Sequence, residues 1–114
     1  NKLPLLNQNI IIIYGCGGDR DKTKRTQIAK VVSKYTNLQI ITDDNPRNED
    51  PAIIRKTLIK YSSNPIEIPS RREAIKFGVS YIKKNDGILI IAGKGHEKYQ
   101  EIINKIKSIL KMNM

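Results

Sequence analysis

The chain has 114 residues, 39% of them hydrophobic, with one cysteine, no tryptophan and a formal net charge of +10. That length suits one domain with a real core, and no apolar run is long enough to span a bilayer. The lone Cys16 excludes an internal disulfide framework and fits a reducing cytosol, while the charge allows nucleic acid, anionic lipid or acidic metabolites as partners without choosing among them.

Asn1 to Gln8 reads as a linker or a cut end, and residues 9–114 as a single α/β domain. "NIIIIYG" (Asn9 to Gly15) is a β-branched run closed by glycine, the pattern of a buried strand. From Thr23 to Tyr35, the residues Ile28, Val31, Val32 and Tyr35 recur at helical spacing. "LQIIT" predicts a second strand. Asp50 then serves as N-cap with Pro51 at the first helical position, and Ile54, Leu58 and Tyr61 line one face. "PIEIP" predicts a short third strand. Ser70 and Glu73 form a capping box ahead of Ile75, Val79 and Ile82. "GILIIAG" predicts the fourth strand, and Tyr99 to Leu110 carries Ile102, Ile103, Ile106 and Leu110 at helical spacing. Strands alternating with helices over short connections predict a Rossmann-like α/β fold: a mostly parallel sheet with helices on both faces.

Three charged loops follow strand ends. "GCGGDRDKTKR" follows the first strand, "DDNPRNED" the second and "GKGHEKYQ" the fourth. In a parallel sheet all three open on one edge, where such folds bind ligands. The first loop is not a Walker loop, because Asp21 stands where a glycine must precede the Lys-Thr pair, and no third glycine completes a dinucleotide fingerprint. It reads either as a glycine-rich turn or as a ligand loop, with Arg20 between Asp19 and Asp21 at the crevice mouth. In the second loop Asn45 and Pro46 fix a turn from which Arg47 projects, available either for a ligand or for Asp43, Asp44 or Glu49. In the third, small residues permit close backbone approach and Glu97 can accept hydrogen bonds from an ammonium group. His96, alone, more often makes a structural hydrogen bond than acts as a base, and Cys16 and His96 lack companions at metal-ligand spacing. Two arginines and a glutamate on separate loops suit a small zwitterion with more than one carboxylate. They suit a polynucleotide less well, since stacking aromatics are few.

These stretches, "GCGGDRDKTKR", "TDDNPRNEDP" and "AGKGHEKYQ", resemble the C-terminal domain of the Mur ligases, in the branch that adds diaminopimelate. The resemblance runs in order from about Ile10 to Glu101. It implies that Asp44, Asn45, Pro46 and Arg47 match the diaminopimelate recognition motif, and that Arg20, Gly93 and Glu97 match the other contacting positions. It further implies a cytoplasmic enzyme of peptidoglycan precursor synthesis. There ATP activates the D-glutamyl carboxylate of UDP-N-acetylmuramoyl-L-alanyl-D-glutamate as an acyl phosphate, and the amine of meso-diaminopimelate displaces phosphate to leave an amide. The family's ATP-binding loop and metal ligands have no counterpart in these residues. ATP and Mg2+ are therefore expected to be bound mainly outside this chain, which alone is expected to be inactive. The alternative reading is a small basic α/β module that binds RNA or acidic partners without chemistry.

Overall fold

Four isoleucines and a tyrosine, Ile10–Tyr14, form strand β1, and all five side chains are buried. The computed structural model describes residues 9–18 and 22–92, together with 101, 104, 107 and 108 in the tail. Arg20, Gly93, His96 and Glu97 lie outside the described residues. Of the predicted tail helix, Glu101, Asn104, Lys107 and Ser108 are described, and all four are helical and exposed.

β1 is followed by α1 (Lys22–Tyr35), β2 (Leu38–Ile41), α2 (Pro51–Lys60), β3 (Pro65–Glu67), α3 (Arg71–Asn85) and β4 (Ile88–Ile91). The strands form one parallel sheet in the order β3-β2-β1-β4. Ile13 stands opposite Ile40 of β2, and Ile11 opposite Leu89 of β4. This is the Rossmann-like α/β class that the strand–helix alternation predicts. β1 shows no polar alternation because both its faces are covered. Ile10, Ile12 and Tyr14 pack with Ile28, Ala29 and Val32 of α1 and Ile54 and Leu58 of α2, whereas Ile11 and Ile13 pack with Ala74 of α3. Right-handed crossovers account for the split. α1 and α2 step the same way along the sheet and share a face, while α3 carries the chain back past β2 and β1 and covers the other. No helix among the described residues is long and apolar enough to cross a membrane.

Local signals set the helix starts. Asp50 caps α2, its Oδ1 accepting from Ala52 N at 2.9 Å, with Pro51 at the first turn. Ser70 caps α3, its hydroxyl accepting from Glu73 N at 3.2 Å. The packed face of α3 differs from expectation in one respect. Val79 is 39% exposed, and Ala74 and Gly78 are the buried positions. A Cβ on Gly78 would lie 3.0 Å from both Ile13 Cδ1 and Leu89 Cδ1, so this helix approaches the sheet along its small residues. Val79, one position on, is turned about 100° away from that line.

Gln39 of β2 is among the polar side chains buried in the fold. Gln39 is fully buried, yet its Nε2 donates to Thr36 O and Oγ1 at 3.3 and 3.0 Å and its Oε1 accepts from Asn64 N at 2.8 Å. The amide is satisfied on both sides, so its burial is tolerable.

Candidate functional site

The loops after β1 and β2 leave the same edge of the sheet and are bonded to each other. Thr42 N donates to Tyr14 O at 2.9 Å, carrying the strand pairing one residue further, and Gly18 N donates to Asn45 O at 2.8 Å. The glycines of the first loop make this closeness possible. A Cβ on Gly15 would fall 2.2 Å from Thr42 O, and one on Gly18 would fall 1.8 Å from Pro46 O. Only hydrogen fits at either place.

The second loop is built from its own side chains. Asn45 N donates to Asp44 Oδ1 at 2.8 Å, and Arg47 N donates to Asn45 Oδ1 at 3.1 Å, an Asx turn of the kind that Asn-Pro signals. Glu49 N then donates to Pro46 O at 2.9 Å. Within this turn Arg47 has φ of 50°, in the left-handed region. For a residue with a Cβ that costs on the order of 1 kcal/mol, and such conformations gather at functional sites. Its guanidinium folds back so that Nη1 donates to Gly18 O at 3.0 Å.

The carboxylates around Arg47 are engaged elsewhere. Asp43 pairs with Arg55 Nη1, and Arg55 Nε also holds Glu67 at 2.8 Å. Glu49 receives both terminal nitrogens of Arg25, at 3.0 and 2.5 Å, and Asp50 caps α2. Asp44 accepts from the neighbouring backbone. Arg47 makes no ion pair among the described residues. The alternative that it merely bridges Asp43, Asp44 or Glu49 is therefore not met.

Cys16 packs beside the α1/α2 core, and burial pushes its thiol up to about 12, with Arg25 pulling the other way and Asp44 adding to the rise. A thiol held protonated in this way is a weak nucleophile. No group of three or more His, Cys, Asp or Glu among the described residues could hold a metal ion. The open sides of Gly15, Gly17 and Gly18 face Thr42, Arg47 and Pro46. At the end of β4, Arg71 Nη2 donates to Ala92 O at 2.6 Å and ties that strand end to α3.

Residues 2–95 match the family model described as "Mur ligase, glutamate ligase domain". The chain belongs to the Mur ligase family. It is 47% identical over 98 residues to a protein of Anaplasma marginale named UDP-N-acetylmuramoyl-L-alanyl-D-glutamate–2,6-diaminopimelate ligase, covering 86% of this chain and 21% of that one. A Rickettsia typhi protein of the same name is 53% identical over 96 residues, covering 82% of this chain and 19% of its own length. A solved structure of a ligase so named superposes with a TM-score of 0.64 at 31% identity, over 92% of this chain and 24% of that one. The chain thus spans about a fifth of the length of the curated relatives it matches.

Within this Mur ligase domain Asp44, Asn45, Pro46 and Arg47 form the hydrogen-bonded turn after β2. Arg20, Gly93 and Glu97 lie outside the described residues. Sequence reasoning missed Arg25, which is 3% exposed and joins the two loops. The signal was present: Arg25 precedes Ile28, Ala29 and Val32 at helical spacing and so shares their buried face.

Proposed function

We propose that residues 9–114 act as the amino-acid-binding domain of an ATP-dependent ligase, receiving meso-diaminopimelate for addition to UDP-N-acetylmuramoyl-L-alanyl-D-glutamate in peptidoglycan precursor synthesis. One observation carries this reading: Arg47 is held in a left-handed turn on the binding edge with no carboxylate opposite it among the described residues. The names of the relatives point to the same substrate.

Diaminopimelate differs from lysine by a carboxylate at its far end. A guanidinium grips that group with two parallel hydrogen bonds, which an ammonium cannot match. Arg47 therefore reads the distal carboxylate, with Asn45 assisting and Asp44 and Pro46 shaping the turn. Arg20, Gly93 and Glu97 complete the contacts, Glu97 taking the ammonium end. The domain's task is to hold the amine in line with its target, and positioning of that kind supplies several kcal/mol of barrier reduction. ATP, Mg2+ and the UDP-linked dipeptide are bound by other parts of a longer, cytoplasmic ligase, and this chain alone forms no amide.

Competitive titration calorimetry with meso-diaminopimelate and L-lysine tests the reading. Losing one partner of a desolvated charge pair costs on the order of 2–5 kcal/mol. Arg47 is exposed before ligand binds, so the lower end applies, and Arg47→Ala should cut the preference about thirtyfold. An unaltered ratio sinks the assignment. Affinity that instead falls steeply with salt, without stereochemical preference, points to the basic binding module.

A further inference from the structure

We infer that Arg25 is a positioning residue for substrate choice: its fork on Glu49 and Gly17 fixes the guanidinium of Arg47, an inference that rests on the reading of Arg47 above. Arg25 stands on α1, a rigid element, and reaches across to both loops. Its Nη1 and Nη2 hold Glu49 Oε1 and Oε2 at 3.0 and 2.5 Å, and Nη2 also donates to Gly17 O at 3.3 Å. Glu49 is two residues after Arg47, and Gly17 is one residue before the carbonyl that receives Arg47 Nη1. One buried guanidinium therefore pins the chain on both sides of the Arg47–Gly18 hydrogen bond.

Stability alone does not call for this pair. The side chains are 3% and 17% exposed, and Arg25 Nε is buried with no hydrogen-bond partner. Burying two charges is commonly matched by an apolar pair of similar volume. What an apolar pair cannot do is point. A planar fork sets direction and distance together, and a lysine in its place offers only a point charge. Arg25 also occupies the Glu49 carboxylate, which would otherwise compete with the ligand for Arg47 from two residues away.

The test uses this chain with Arg25→Lys and with Arg25→Met/Glu49→Met. Without ligand, hydrogen exchange is followed at the Gly18 amide, which donates to Asn45 O, and at Ile12 in the central strand. With ligand, competitive calorimetry gives the preference for meso-diaminopimelate over L-lysine. Both variants should keep Ile12 exchange within about twofold of wild type. Gly18 exchange should rise at least tenfold and the preference should fall at least tenfold. Unchanged Gly18 exchange, or an unchanged preference ratio, in a variant with intact Ile12 protection overturns the inference. Should the double variant lose Ile12 protection, Glu49→Gln, which keeps the side chain's size, carries the same comparison. A wild type with no preference overturns the reading of Arg47 itself, and Gly18 exchange then still decides whether Arg25 couples the loops.

Discussion

Gly18→Ala probes the contact between the two loops most directly. The new methyl carbon would lie 1.8 Å from Pro46 O and 2.5 Å from Pro46 C, both backbone atoms that no rotamer change can move. Ordinary carbon–oxygen contacts begin near 3.3 Å, so the loops must part by about 1.5 Å. That separation breaks Gly18 N to Asn45 O, now 2.8 Å, and Arg47 Nη1 to Gly18 O, now 3.0 Å. A neutral hydrogen bond contributes about 0.5–1.5 kcal/mol and one to a charged group about 1.5–3. The Arg47 end is solvent-accessible and screened, so a total near 2 kcal/mol is expected. In urea, with a slope of about 1–3 kcal/mol per molar for a small domain, the midpoint should fall by roughly 1 M. Far-ultraviolet circular dichroism measures that midpoint, and competitive calorimetry measures the diaminopimelate-to-lysine preference, which should fall as Arg47 loses its acceptor. A midpoint within about 0.2 M of wild type, with the preference intact, refutes the packing of the loops as described.

Cys16 should alkylate slowly: at about pH 8 iodoacetamide should react with the native chain at least a hundredfold more slowly than with the urea-unfolded chain, and equal rates would show an accessible thiolate. The folded thiol titrates near 12 and its ordinary value is 9.0, so the unfolded chain releases that proton first and stability should drop as pH rises from 9.0 toward 12; the drop should be smaller in Cys16→Ala, and no difference between the two removes this group from the alkaline response. Asp50→Ala removes the cap from Ala52 N and should cost about 1 kcal/mol in urea unfolding, with the preference for diaminopimelate unchanged. Gln39→Leu leaves Asn64 N without its buried acceptor and should cost about 1–3 kcal/mol; a neutral result would show that water replaces the amide.

Features set by residues a few positions apart were legible in the sequence. The uninterrupted run of β1 announced a strand buried on both faces, Asp50-Pro51 and Ser70 marked two helix starts, and Asn45-Pro46 marked the turn that carries Arg47. Each depends on hydrogen bonds or packing periods within about four residues, and local chemistry writes these directly. Arg20 and Glu97 stood out in the sequence as charged residues on loops at strand ends, whereas the ligand contacts expected of them and of Gly93 came from the family resemblance. The tertiary structure alone decided which charges meet. Arg25 finds Glu49 across 24 residues, and Arg47 finds the Gly18 carbonyl across 29. The same long-range packing turned Val79 outward, because the sheet admits α3 only along Ala74 and Gly78. The sequence carries five acids between Asp43 and Glu67 that could each have neutralised Arg47. Folding assigns Asp43 and Glu67 to Arg55, Glu49 to Arg25, and Asp44 and Asp50 to backbone amides. Pairing is settled by which strand ends lie side by side, and that adjacency exists only once the sheet has formed.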